Sequence, residues 1–550
     1  MRSSLAPLLL ALGAASTWAS GARADYIDHF ANREDIGLLK VPHTGETRVL
    51  VIPVLVDDQP YEQGSDGAFL DEIDRFFDPE AEGFAFTPYW VTQSLGRFRP
   101  VATVAPPVHF NTCPPLGEYE NCDIPRGAGL SGGNLQGAAA TLRASLFFLD
   151  EILRCAQEGP GSDRSCSSGG GVDLTQFDTS GQSQGVPDGF VDGVIVISNA
   201  GFPGIALPVQ ELSENALMRL LGSTPSFVYG GTTVPSVAIA GHVSPPQRDV
   251  WLSVHEFGHL LGFADLYDET GQTTDLPCTV MGGWYYGTPA PLLDPFSRLA
   301  IGFAHAIQVS GSGTYELSPV DTSGTVLKVG TGEEFFAVEL RRKISGVLDE
   351  DLQVDAAVVV ERVRLAKRPS PERGNYLGTL QNCVNCEPYN AFLSLEQADG
   401  LFQLERGLSR DDEDDLFLAG DEIGPSDDTE PRTATHAVFS TNLTDGTPTG
   451  ITLRVVAVSA EGATVEIEAP EVADACAELE PYCGGLPCEN GECGRVLPVE
   501  EPPPECEGCC CSSLAGAMPW SLALFGLAIA RRRSSARRAC LAKRPLPSVE

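Results

Sequence analysis

Two histidines four residues apart, with a glutamate directly after the first, stand in the stretch HEFGHLLGFAD at residues 255–265. A helix turns about 100° per residue, so His255 and His259 would share one face and could grip one metal ion. Imidazole suits zinc, which lowers the pKa of a bound water toward neutrality without redox chemistry. Glu256 is not expected to bind the metal itself. Its carboxylate would stand beside the zinc-bound water, take its proton during attack on a carbonyl, and return that proton to a leaving amine. Val250, Val254, Phe257 and Leu261 fall on a roughly opposite stripe, able to face a core. A plain core helix with two satisfied histidines is the competing reading, and the next few residues weigh against it.

A catalytic zinc needs a third protein ligand and one open position. Gly262 can adopt a left-handed conformation, stop the helix and return the chain toward the metal. Asp265 then arrives six residues after His259, the spacing at which metzincins place their third ligand. That slot usually holds histidine, so Asp265 is a departure, although carboxylate oxygen is an acceptable zinc ligand. Asp268 and Glu269 are reserve candidates, and no glutamate lies between Glu269 and His305 to serve a thermolysin-like site. Met281, in the Gly-rich CTVMGGWYYG, could form a floor under the metal or be an ordinary core methionine. Tyr285 and Tyr286 could hydrogen-bond an oxyanion, or pack, or line a substrate subsite.

These residues must be positioned by a fold, and the pattern along the chain predicts an α+β one. TRVLVIPVLVD at residues 47–57 reads as a buried central strand. Helices around 69–77 and 136–158, with strands near 191–198 and 237–240, suit a sheet covered by helices. After about residue 310, short β-branched segments such as FFAVEL, AAVVVERVRL and GITLRVVAVSAEGATVEIEAP indicate a mainly β domain, expected to be a sandwich. The expected organisation is a signal peptide over 1–24, a short segment over 25–45, a catalytic domain over 46–310 and a β-sandwich over 311–470. A small Cys-rich module over 471–494, a Pro-rich linker over 495–505 and a tail over 506–550 complete it.

At 550 residues the chain is too long for one core of the usual 100 to 200 residues or so. A formal charge of −39 argues against nucleic acid, which needs a basic footprint, and suits hard cations such as calcium. The N-terminus has Arg2, an apolar run from Leu5 to Ala15 and the small-x-small site Ala22-Arg23-Ala24, the marks of an export signal; a membrane anchor is the alternative. Sixteen cysteines in an exported chain make disulfides expected. Cys113/Cys122, Cys155/Cys166 and Cys383/Cys386 are plausible local pairs, whereas the pairing of Cys476, Cys483, Cys488 and Cys493 cannot be deduced. The tail has cysteines 506, 509, 510 and 511, an apolar segment from Leu514 to Ala530, and Arg531 to Arg533. It resembles the C-terminal sorting tags of myxobacterial surface proteins, which implies processing machinery and delivery to the cell surface or outside. The alternative is a permanent membrane anchor.

HEFGHLLGFADLYD, with YWVTQSLGRFRP, PDGFVDGVIVI, MGGWYYGTPAPLLDPFSRLAIGF and LEQADGLFQLERGLSRDDEDDLFLAGD, resembles the immune-inhibitor-A family of secreted bacterial metalloproteases over roughly residues 45–470. The resemblance implies a zinc endopeptidase with a metzincin-like catalytic domain and a β-sandwich behind it. It implies His255, His259 and Asp265 as ligands and Glu256 as the base. It also implies calcium, for which Asp188, Asp192, Asp411, Asp414 and Asp415 are possible oxygen ligands, solvated acidic loops being the alternative. Little room precedes the first strand for an inhibitory propeptide. The expected function is a secreted or surface zinc endopeptidase acting on extracellular proteins or peptides. A surface binding protein that uses an inactive peptidase scaffold is the alternative, against which the retained Glu256 speaks. A zinc hydrolase of non-peptide amides is a third reading.

Overall fold

The run of apolar residues after residue 45 is the centre of a mixed seven-stranded sheet in the computed structural model of the chain. The structure describes residues 41–57, 66–111, 135–162, 164–179, 186–199, 205–207, 209–214, 223–241, 247–263, 266, 279–282, 291–344, 349, 352–367, 389, 391–408 and 413–494. The chain divides into two compact units, Met1–Val499 and Glu500–Glu550, and every described residue belongs to the first.

Strand β1 (Gly45–Val56) is long enough to take two partners along one edge: β2 (Phe98–Val104) pairs with its first half and β3 (Val108–Phe110) with its last. On its other edge lies β5 (Val194–Ser198), followed by β9 (Val237–Gly241), all parallel to β1. The sheet ends in two antiparallel strands, β4 (Cys166–Ser168) beside β3 and β6 (Ile205–Leu207) beside β9. Parallel strands need both faces covered, and the alternation of side chains shows how this is done. Val49, Val51, Leu55, Ile195, Ile197, Ala238 and Ala240 enter one core cluster, and Leu50, Ile52, Val54, Val56, Val194, Val196, Val237 and Ile239 enter another.

The second cluster is roofed by helix α3 (Leu135–Glu158), through Leu146, Leu149, Ile152 and Leu153. The Cys155–Cys166 disulfide ties the end of α3 to β4, as local spacing predicted. The first cluster receives α1 (Asp66–Phe77), α2 (Phe86–Gln93) and the motif-bearing α4 (Gln247–Leu260). Val254, Phe257 and Leu261 are buried there as the helical stripe requires, and the small Ala238 and Ala240 on β9 leave space beneath α4. Val250 lies where side chains are outside the described residues.

Beyond the loop that follows α5 (Pro295–Ala300), strands β10 (His305–Val309), β12 (Thr325–Val329), β13 (Glu334–Arg342), β14 (Ala356–Arg364) and β15 (Leu393–Leu395) build a second sheet. A four-stranded sheet of β11 (Gly313–Leu317), β16 (Glu422–Ile423), β17 (Thr452–Ser459) and β18 (Gly462–Glu468) shares a third core cluster with it, through Val329, Val338 and Val358 from one sheet and Leu453, Val455 and Val465 from the other. The architecture is therefore mixed α and β. A small hairpin, β7 (Val228–Tyr229) and β8 (Thr232–Thr233), stands apart from both sheets.

The Cys-rich stretch does not stand apart. Its hairpin, β19 (Cys488–Glu489) and β20 (Glu492–Cys493), joins the second sheet by pairing beside β10 at Ile307 and Glu492. The short α6 (Ala475–Leu479) places Glu478 on the buried Lys328 at 3.0 Å. Disulfides Cys476–Cys488 and Cys483–Cys493 staple it internally. Leu479, Tyr482 and Cys493 belong to the same core cluster as Phe257 of α4, so this core runs across residues 310 and 470. No helix among the described residues is long and apolar enough to cross a membrane; the N-terminal signal, the tail from 506, Cys113/Cys122 and Cys383/Cys386 lie outside them.

Candidate metal centre

Helix α4 carries His255, Glu256 and His259 on the face away from its apolar stripe, and all three are at least 95% buried. A titratable group that deep is held by specific partners rather than by water. The Nδ1–H of His255 donates to the carbonyl oxygen of Val280 at 2.7 Å. The Nδ1–H of His259 donates to the carbonyl oxygen of Phe263, also at 2.7 Å. A carbonyl can only accept, so each ring is fixed in the tautomer whose lone pair is on Nε2, the arrangement in which metal-binding histidines are oriented by a backbone partner. The rings stand 4.8 Å apart and perpendicular.

Phe263 reaches that position because of the helix stop. Gly262 has φ +95°, the left-handed region, with Gly262 N–H donating to His259 O at 2.8 Å and Phe263 N–H to Gly258 O at 3.0 Å. This pair of bonds satisfies the last carbonyls of α4 and folds the chain back on the second histidine. The sequence reading of Gly262 matches this geometry.

The partner of His255 comes from the turn at residues 279–282. Met281, fully buried, packs so closely on α4 that a Cβ placed on Gly258 would lie 2.8 Å from its Sδ. Gly258 is thus a site of close approach inside a helix, where glycine otherwise costs about 1 kcal/mol relative to alanine. Leu266 N–H donates to Met281 O at 2.9 Å. The chain on either side of residues 264 and 265 is therefore pinned, by Phe263 to His259 and by Leu266 to the turn that holds His255.

Sequence reasoning named His255, Glu256, His259 and Met281, and the structure brings them together. Asp265, Asp268, Glu269, Tyr285 and Tyr286 lie outside the described residues. Among the described residues no group of three or more His, Cys, Asp or Glu is arranged to hold a metal ion. Of the aspartates considered for calcium, Asp188 accepts from the N–H of Phe190 at 3.0 Å and Asp192 from the hydroxyl of Thr179 at 2.5 Å, both bonds that close the loop before β5. Asp414 is exposed, Asp415 is buried and Asp411 lies outside the described residues. Two histidines protonated at Nδ1, with the lone pair on Nε2, suit a borderline cation such as zinc.

The orienting carbonyls of Val280 and Phe263 were not named from sequence. Backbone acceptors leave no mark on residue type, although Gly258 within the motif was a signal of close approach. A separate cleft of about 750 Å³ opens beside Arg364, Tyr389, Arg432 and Thr444, and His255, Glu256 and His259 are not among its lining residues. No family model matches this chain, and no curated protein is significantly similar to it. The family resemblance accordingly rests on the quoted motifs.

Proposed function

We propose that the chain is a zinc-dependent endopeptidase, exported and acting on extracellular proteins or peptides outside the cell or at its surface. The observation that carries this reading is the pair of buried histidines one helical turn apart, each locked by a backbone carbonyl into the tautomer that presents Nε2. Asp265, between the two pinned residues Phe263 and Leu266 in sequence, is the third ligand in this reading. The architecture is then that of a metzincin-like catalytic domain followed by a β-sandwich.

Zinc, when bound, supplies positive charge that polarises a carbonyl and acidifies water. The remaining chemistry is the protein's. Glu256 follows His255 directly, so its carboxylate stays beside the ligand pair; it accepts the proton of the attacking water and delivers it to the departing amine. Burial of the site excludes bulk water and strengthens each of these interactions. The tyrosines at 285 and 286 are assigned to hydrogen bonding of the carbonyl oxygen as its charge grows.

Casein hydrolysis by the full chain, compared with Glu256→Gln, tests the reading, with zinc content measured for both. The expected result is cleavage by the parent, abolished by a chelator and restored by zinc, and a variant that keeps its zinc while losing at least 100-fold in rate. A parent that holds zinc yet cleaves no member of a broad peptide library sinks the peptidase reading and favours a binding scaffold.

A further inference from the structure

We propose that Asp349, in the loop between β13 and β14, is a positioning residue for His255. The proposal rests on the reading of His255 as a zinc ligand, and it adds a residue from the second half of the chain to the site.

The connection runs through the backbone of two residues, Val280 and Leu292. His255 donates to Val280 O at 2.7 Å, Val280 N–H donates to Leu292 O at 3.2 Å, and Leu292 N–H donates to Asp349 Oδ1 at 2.9 Å. The neighbouring backbone is held the same way. Tyr89 OH donates to Pro291 O at 2.7 Å, and Leu293 N–H donates to Gln93 Oε1 at 3.1 Å. Leu293 O accepts from Arg298 Nη2 at 2.7 Å and from Arg341 Nη2. Residues 291–293 are irregular backbone whose buried polar groups need partners, and side chains from α2, β13 and the loop after it, with Arg298 of the adjoining α5, supply them. Asp349, Arg341, Gln93 and Arg298 are all at most 1% exposed.

The clamp is itself braced. Glu339 joins the two guanidiniums, 3.0 Å from Arg298 and 2.8 Å from Arg341, and Arg341 stands 3.7 Å from Asp349. Asp349 adopts φ +48°, a conformation uncommon for a residue with a side chain and one kept where the surroundings dictate it. Glu361 provides a matched comparison. It is equally buried and accepts the N–H of Phe296 in the same segment at 2.9 Å, but the described bonds give it no path to Val280. Removing Asp349 releases Leu292, whose carbonyl holds the N–H of Val280 and so the residue that orients His255, whereas removing Glu361 releases the start of α5.

The test uses the full chain and Zn(II) as the probe, with affinity measured by competition against a chromogenic chelator and melting temperature recorded for each variant. Groups that touch a metal ligand change metal affinity by about 10- to 100-fold, so Asp349→Ala, two residues removed, is expected to weaken zinc binding about tenfold. Asp349→Asn keeps an acceptor for Leu292 and should stay within about twofold of the parent. Glu361→Ala should lower the melting temperature while leaving zinc affinity unchanged. In the zinc-free chain, the His255 Hδ1 resonance should exchange faster with solvent in Asp349→Ala alone. If Asp349→Ala does not fold, Asp349→Ser, polar but too short to reach Leu292, is read against the same expectation. Zinc affinity equal to the parent's, or an equal loss in Glu361→Ala, overturns the proposal and leaves the zinc site standing. A parent with no zinc equivalent that His255→Ala removes overturns the zinc reading and this proposal together.

Discussion

Gly258→Ala would ordinarily stabilise a helix by about 1 kcal/mol. In this chain the added methyl would meet Met281 Sδ at 2.8 Å in a fully buried setting. Overpacking of this kind costs about 1–3 kcal/mol. The net expectation is a loss of about 1 kcal/mol. Met281→Ala, which empties a buried side chain, should cost about 3 kcal/mol, within the usual range of about 2–5. Independent sites would then add to about 4 kcal/mol. The double variant should do better than that sum, because the clash is gone, the helix gain remains, and the new methyl fills part of the cavity at about 0.8 kcal/mol per carbon. Its total cost should be about 1–2 kcal/mol, a coupling of at least about 2. Urea unfolding of the four chains with disulfides intact measures this, with tryptophan fluorescence, to which Trp90 in the same core contributes, as the probe. Additivity within about 0.5 kcal/mol, or a stabilising Gly258→Ala, would refute the close packing of turn and helix.

Three further outcomes are expected. Burial raises the carboxyl pKa of Glu396, but Arg362 and Arg432 outweigh it and hold it below its ordinary 4.5. Its contribution is therefore complete above about pH 4.5 and lost as pH falls through the lower folded value, so the parent's stability should drop more steeply in acid than that of Glu396→Gln. At neutral pH that variant should cost about 3–5 kcal/mol, because two buried guanidiniums lose a charged partner. Replacing Cys155 and Cys166 together by serine should cost about 3 kcal/mol, as for any loop of roughly this length, and a loss of under about 1 kcal/mol measured by urea unfolding would contradict the bridge.

The parts legible in the sequence were those specified locally. Strand β1 ends in the apolar, valine-rich run VLVIPVLV, α4 repeats its apolar residues at helical spacing, and Gly262 marks its own left-handed turn. Cys155 and Cys166 are close enough in sequence to pair across one turn of structure. The clamp on residues 291–293 was not legible, since Gln93 and Asp349 lie 200 and 57 residues from the amides they hold. Strand β14 was illegible in another way. Nothing in AAVVVERVRL shows what surrounds its charges: Glu361, Arg362 and Arg364 are buried with the rest, because Glu334, Glu396 and the carbonyls of Ser440, Asn442 and Ala391 meet the arginines. Asp265, assigned from spacing as the third ligand of the proposed zinc site, lies outside the described residues.

The β20 hairpin closes the open edge of β10, and its disulfide partner Cys483, with Tyr482 and Leu479, completes the apolar cluster in which α4 is seated. A chain is made from its N-terminus onward. The helix that bears His255 and His259 therefore waits, through the synthesis of more than two hundred further residues, for the last pieces of its own support. Until residue 493 emerges, β10 presents unpaired backbone along its edge, the kind of surface that recruits other strands. A nascent or truncated chain ending near residue 470 would keep the metal motif but lack both the seal on that edge and the floor beneath Phe296 and Phe335, where Tyr482 packs at 6.4 and 5.9 Å between ring centres.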